Sequence, residues 1–207
     1  MKRSRIHLLV AVGLGALALA GAAAAALLIL RPDDAAGDYR GSEPPARMTL
    51  PDFTLPDYTG ASVSSQELRG KVVLLTFLDS QCTEACPIIA SQIARTLERL
   101  TPEERAEIAP IGISTDPEED TPEAVRSFLE KNRAAGTLRY LVAPVERLRP
   151  LWESFQIAAS VDTGIDTLHS APVRIYDREG VWVTTLHAGA DLTMENLAHD
   201  LRLTLGS

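Results

Sequence analysis

The run Val72-Val73-Leu74-Leu75-Thr76-Phe77-Leu78 limits this chain more than any other feature. It has one hydroxyl, no charge and no alternation of polar with apolar residues. A strand with one wet face would alternate, so this run predicts a strand buried on both faces. Such a strand needs layers on both sides of its sheet, and the sequence around it supplies helices. Ile89, Ile93, Leu97 and Leu100 keep helical spacing after Pro87, which is placed to start the helix. Ile108 to Ser114 is the next strand. Thr121 then caps a helix with Pro122 at its first position, and Gly136 ends it.

The alternation continues. Leu138 to Val142 reads as a strand. Val145 to Phe155 reads as a helix with Leu148, Leu151, Trp152 and Phe155 inward. A long connection from Ile157 to Ser170 leads to a strand, Pro172 to Tyr176. Asp177-Arg178-Glu179-Gly180 turns the chain into a partner strand, Val181 to Leu186. Thr193 caps a last helix carrying Leu197, Leu201 and Leu203. Upstream, Leu50 to Leu55 and Val63 to Leu68 flank a turn at Asp57 to Gly60 and form a small hairpin. The order predicts an α/β domain over residues 49–207. It has parallel pairing in its first part, right-handed crossovers and an antiparallel edge from the late hairpin. That order is compatible with a thioredoxin-like sheet. Trp152 and Trp182 read as packing residues.

The N-terminus has a different character. Lys2, Arg3 and Arg5 open it, and residues 1–7 read as a cytoplasmic flank. Residues 8–30 hold no charge and are long enough to cross about 30 Å of hydrocarbon as a helix. The apolar core of a secretory signal is shorter. The segment is therefore expected to be a transmembrane anchor, with a cleaved signal peptide as the alternative around Ala20, Ala22 and Ala24. The positive flank places the N-terminus in the cytoplasm and the domain on the extracytoplasmic side of the cell membrane. Residues 31–48, rich in Pro, Gly, Asp and Ala, read as a linker. The net charge of −8, with no basic stripe beyond the N-terminus, argues against nucleic acid as a partner.

The chain has two cysteines, Cys82 and Cys86, in the loop after the central strand. A bridge closing so short a loop would constrain little unfolded-chain entropy. The pair therefore points to redox chemistry or a soft metal, with an inert buried couple as the bland alternative. At a helix N-terminus the macrodipole favours thiolate, which is both nucleophile and metal ligand. Thiolates select Cu(I), zinc or iron–sulfur centres. Two of them cannot complete a tetrahedral zinc site. The histidines are His7 in the anchor region, His169 at the close of the long loop, His187 at the end of the late strand and His199 in the last helix.

Several stretches together resemble the SCO/SenC family, the copper chaperones of cytochrome c oxidase assembly. They are Gly70-Lys71-Val72-Val73-Leu74-Leu75-Thr76-Phe77, then Cys82-Thr83-Glu84-Ala85-Cys86-Pro87. Ser114-Thr115-Asp116-Pro117-Glu118-Glu119-Asp120-Thr121-Pro122 follows, and His169-Ser170 precedes the strand ending at Asp177-Arg178-Glu179-Gly180. The resemblance covers residues 49 to 206. It implies a thioredoxin-like fold and a membrane-tethered, extracytoplasmic domain. It also implies copper, Cu(I) or Cu(II), as the bound metal, with Cys82, Cys86 and His169 as ligands. The implied partner is a cytochrome c oxidase subunit or another cuproprotein. Thr83 stands where the family often has proline. Pro172 falls where thioredoxins keep a cis-proline.

The alternative function is a thiol–disulfide oxidoreductase that keeps target cysteines reduced, with Cys82 attacking and Cys86 resolving. In that reading the two cysteines are catalytic and His169 is dispensable. Thr83-x-x-Cys86 also superficially fits a peroxidase core, although Asp79 replaces the expected proline. Asp79 and Asp166 read as solvated loop acids, with orientation of His169 or tuning of the thiolates as the alternative role.

Overall fold

A computed structural model describes residues 39–159 and 171–206. Its elements in chain order are β1 (Thr54–Pro56), β2 (Ser62–Ser64), β3 (Val72–Leu78), α1 (Ala85–Glu98), α2 (Pro102–Ala106) and β4 (Ile108–Ser114). Next come α3 (Pro122–Lys131), β5 (Arg139–Leu141), α4 (Val145–Phe155), β6 (Pro172–Tyr176), β7 (Trp182–His187) and α5 (Met194–Gly206). The main sheet has the order β5-β4-β3-β6-β7. β3, β4 and β5 are parallel, while β6 is antiparallel to β3 and β7 to β6.

β3 is the central strand and every one of its residues is buried. Its side chains alternate between two apolar layers. Leu74 and Leu78 face Ile89, Ile93 and Leu97 of α1, Val125 and Leu129 of α3, and Leu197 and Leu201 of α5. Val73, Leu75 and Phe77 face Leu148, Trp152 and Phe155 of α4 and Leu55 and Val63 of the hairpin. Phe77 and Phe155 meet edge to face at 5.1 Å. The unalternated apolar run is thus the shared wall of two cores. The hairpin β1–β2 turns at Asp57, whose carboxylate accepts the N–H groups of Thr59 and Ala61. The fold is thioredoxin-like.

Several boundaries differ from expectation. α1 starts at Ala85, so Pro87 is inside the first turn rather than at its head, and Cys86 belongs to the helix. α2 was not expected; Thr101 and Glu104 close a reciprocal capping box there. α3 ends at Lys131, before Gly136. Leu203 is only half-buried, and Thr204 takes the inward position. The Ala171–Pro172 bond is trans.

The described part of the linker is docked. Ser42 pairs with Thr185 and Thr49 with Val181 along the outer edge of β7. The buried Asp200 carboxylate accepts the backbone N–H groups of Arg40 at 2.9 Å and Gly41 at 3.0 Å. A Cβ on Gly41 would lie 2.5 Å from Thr184 Oγ1 and from the Thr185 carbonyl oxygen, so only glycine fits. Composition conveys none of this, because the docking turns on backbone N–H groups meeting a carboxylate far away in sequence. The expected anchor, residues 8–30, lies outside the described residues. Among the described residues no helix is long and apolar enough to cross a membrane.

Candidate metal centre

The loop from Asp79 to Glu84 leaves the C-terminal end of β3 and enters α1. In an open α/β sheet this is the edge where ligands bind. Glu84 is the N-cap of α1, but its side chain makes no capping bond. The first amides of the helix are therefore free for another acceptor, and the Cys82 sulfur takes that place. It receives the backbone N–H groups of Cys86 and Glu84 and the S–H of Cys86. The Cys86 thiol is the largest cause, and together these donors hold Cys82 down at about 5 against its desolvation. Cys82 is half-buried and Cys86 buried, and neither is in a disulfide.

Cys86 is shifted the other way. Donating its S–H to Cys82 and being desolvated both push its thiol far up. At neutral pH the pair is one thiolate with one thiol leaning on it. The outer sulfur, that of Cys82, carries the charge.

Asp79 is buried, at 2% exposure, which corrects its reading as a solvated loop acid. Its carboxylate accepts the Gln81 N–H at 2.7 Å, and its carbonyl accepts the Cys82 N–H at 3.2 Å. Its charge raises both thiols, in the direction opposite to thiolate activation. Asp166 and His169 lie outside the described residues. His187 ends β7 opposite Pro172, and its backbone N–H donates to Asp191. His199 bonds Asp200. Among the described residues no group of three His, Cys, Asp or Glu side chains could hold a metal ion. The described part of the site therefore supplies two sulfurs.

Sequence reasoning missed one residue of this site. Asp120 is 2% exposed and lies at the C-terminal edge of the sheet. Its carboxylate accepts the Ser80 backbone N–H at 2.8 Å, the Ser114 hydroxyl at 2.5 Å and the Tyr140 hydroxyl at 2.8 Å. Burial raises its carboxyl above the ordinary carboxylate range even against those bonds. Its available signal was its place in the Asp116-Pro117…Asp120-Thr121-Pro122 segment of the family resemblance, to which no role was attached.

Trp152 is core, with its indole N–H on the Ser114 carbonyl at 2.9 Å. Trp182 packs at the edge of the sheet, with the Arg174 guanidinium 4.3 Å from its ring centre.

The fold and the thiol pair define a thioredoxin-like domain whose reactive sulfurs sit at the N-terminus of the helix after the central strand. The SCO1/SenC family model matches residues 41–205, and the chain belongs to that family. Among its relatives is the mitochondrial SCO2 protein of Saccharomyces cerevisiae. The two are 25% identical over 145 residues, 67% of this chain and 48% of the yeast protein. The chain thus spans about half the length of that relative. Among solved structures, apo Sco1 of Thermus thermophilus superposes with a TM-score of 0.65 at 24% identity, covering 79% of this chain and 95% of that one. ScoI of Bradyrhizobium japonicum with copper bound superposes with a TM-score of 0.61 at 25% identity, covering 76% and 99%.

Proposed function

We propose that the chain is a copper carrier, tethered by residues 8–30 on the extracytoplasmic face of the membrane. In this reading it holds copper on Cys82, Cys86 and His169 and passes it to a cytochrome c oxidase subunit or another cuproprotein. The observation that carries the reading is the thiolate–thiol pair at the N-terminus of α1. Cys82 meets Cu(I) already deprotonated. Cys86 becomes a ligand by releasing its proton to solvent as the metal replaces it. Two soft sulfurs and one imidazole suit Cu(I) as a trigonal set.

Topology supports His169 as the third ligand. β6 runs antiparallel to β3, so its first residues lie at the end of the sheet that bears the thiol loop. Ala171 shares an apolar cluster with Cys86, and Cys82 packs against that cluster. His169 is two residues before Ala171, within about 7 Å of chain reach. The support for copper is family membership and the copper-bound ScoI relative. Support for the tether is the apolar run and its charged flank. Titrating the reduced chain with Cu(I) against a competing chelator tests the reading. One equivalent should bind in the wild type, and Cys82→Ser, Cys86→Ser and His169→Ala should each weaken it. No stoichiometric binding would sink it.

The second reading, a thiol–disulfide oxidoreductase, draws on the same asymmetry. A half-buried thiolate beside a buried thiol is the arrangement of an attacking and a resolving sulfur. Full disulfide reductase activity in His169→Ala, with no copper defect in cells, would favour it.

A further inference from the structure

The thiol loop is short, and most of its outer residues are exposed, yet its first peptide is held at both its N–H and its carbonyl. The peptide unit joining Asp79 to Ser80 donates its N–H to Asp120 Oδ1 at 2.8 Å, and its carbonyl oxygen accepts the Cys82 N–H at 3.2 Å. The N–H of the preceding peptide, that of Asp79, reaches the Cys86 sulfur. A peptide unit is planar, so fixing its N–H fixes the direction of its carbonyl. Asp120 is in turn held by Ser114 at the end of β4 and Tyr140 of β5. The Thr115 N–H and hydroxyl both donate to the Leu78 carbonyl, which closes the same corner from the other side.

We propose that Asp120 is the positioning residue of the thiol loop, holding the Asp79–Ser80 peptide in the orientation that sets Cys82 against Cys86. It touches neither sulfur and acts through the peptide whose carbonyl holds the Cys82 N–H. The role rests on the thiol pair being the working site, whether for copper or for disulfide exchange. Groups that hold metal ligands in orientation by hydrogen bonds commonly carry 10–100-fold in affinity.

The test uses the full chain in detergent and three variants. Asp120→Ala removes the anchor. Asp120→Asn retains a carbonyl oxygen for the Ser80 N–H, and its amide can donate to the Ser114 and Tyr140 oxygens. Tyr140→Phe removes one bond of the hub and leaves the Ser80 contact. The first readout is the Cys82–Cys86 disulfide equilibrium of the metal-free protein in a thiol redox buffer. The second is Cu(I) affinity by chelator competition, with the Cu(II)–thiolate absorption band beside it.

Asp120→Ala should lower the disulfide equilibrium constant by about tenfold or more, about 30 mV, because the sulfurs are no longer held together. It should weaken copper by about tenfold or more and move the absorption band. Asp120→Asn should restore both to within about threefold of wild type. Tyr140→Phe should lower the melting temperature and leave both readouts in place. Unchanged values in Asp120→Ala overturn the proposal, as do equal shifts in Tyr140→Phe. The disulfide arm needs no metal, so a shift there supports the positioning role even if the wild type binds no copper, which would sink only the carrier reading. If Asp120→Ala does not fold, amide exchange in the wild type decides. The Ser80 N–H should be protected like those of β3, and exchange at a free-loop rate overturns the proposal.

Discussion

Replacing Cys86 by alanine should raise the titration midpoint of Cys82 by about one unit. In the wild type the Cys86 S–H is the largest of the groups that hold Cys82 at about 5. A hydrogen bond to a charged acceptor is worth about 1.5–3 kcal/mol, and S–H is a weak donor. Cys82 is only half-buried, so solvent screens part of that gain, leaving about 1 kcal/mol. At 1.36 kcal/mol per unit, the midpoint moves from about 5 to about 6. The backbone N–H groups of Cys86 and Glu84 stay in place in the variant and keep it well below an ordinary thiol. The assay is the pH dependence of iodoacetamide alkylation under reducing-agent-free, anaerobic conditions, with modified Cys82 identified by mass spectrometry. Wild-type reactivity should rise through about pH 5 and the variant's through about pH 6, with Cys86 unmodified until the protein unfolds. A wild-type midpoint near 8.5 would refute the reasoning, and so would a variant midpoint equal to the wild type's.

Protons compete with copper for Cys82, so affinity should fall steeply as pH drops through about 5 and stay flat for that group above it, measured by chelator competition across pH 4–8. Gly41→Ala forces a Cβ against the Thr185 carbonyl and should destabilise the fold by about 1–3 kcal/mol, read by urea unfolding. Asp200→Ala frees the Arg40 and Gly41 amides and should make residues 39–48 cleavable by protease at concentrations that leave the wild type intact. Phe77→Ala opens a cavity under α4 and should cost about 3–5 kcal/mol in urea, its ring contact with Phe155 being lost too.

The strongly patterned elements were legible. β3, β4, α4 and β6 fall where apolar runs and helical spacing placed them, because long buried stretches leave one period that fits. The thiol pair was legible as a candidate site because both sulfurs stand beside a strand end and a proline-bearing helix start. What escaped depends on contacts far apart in sequence. Asp120 stands in a stretch of the family resemblance, but its role shows only when Ser80 and Tyr140 are brought to it. Asp79 looks solvated until the sheet edge closes over it. The docking of Arg40 and Gly41 uses backbone N–H groups, which no residue type announces. The start of α1 moved because the Cys82 sulfur, not a standard capping side chain, receives its first amides.

The central claim is a copper site made of Cys82, Cys86 and His169. X-ray absorption at the copper edge of the Cu(I)-loaded chain, wild type beside His169→Ala, tests it most directly. Two sulfur scatterers and one imidazole nitrogen should appear in the wild type, with the imidazole signature gone from the variant while the sulfurs remain. Identical spectra from the two proteins, or a wild-type spectrum with sulfur ligands alone, would contradict it.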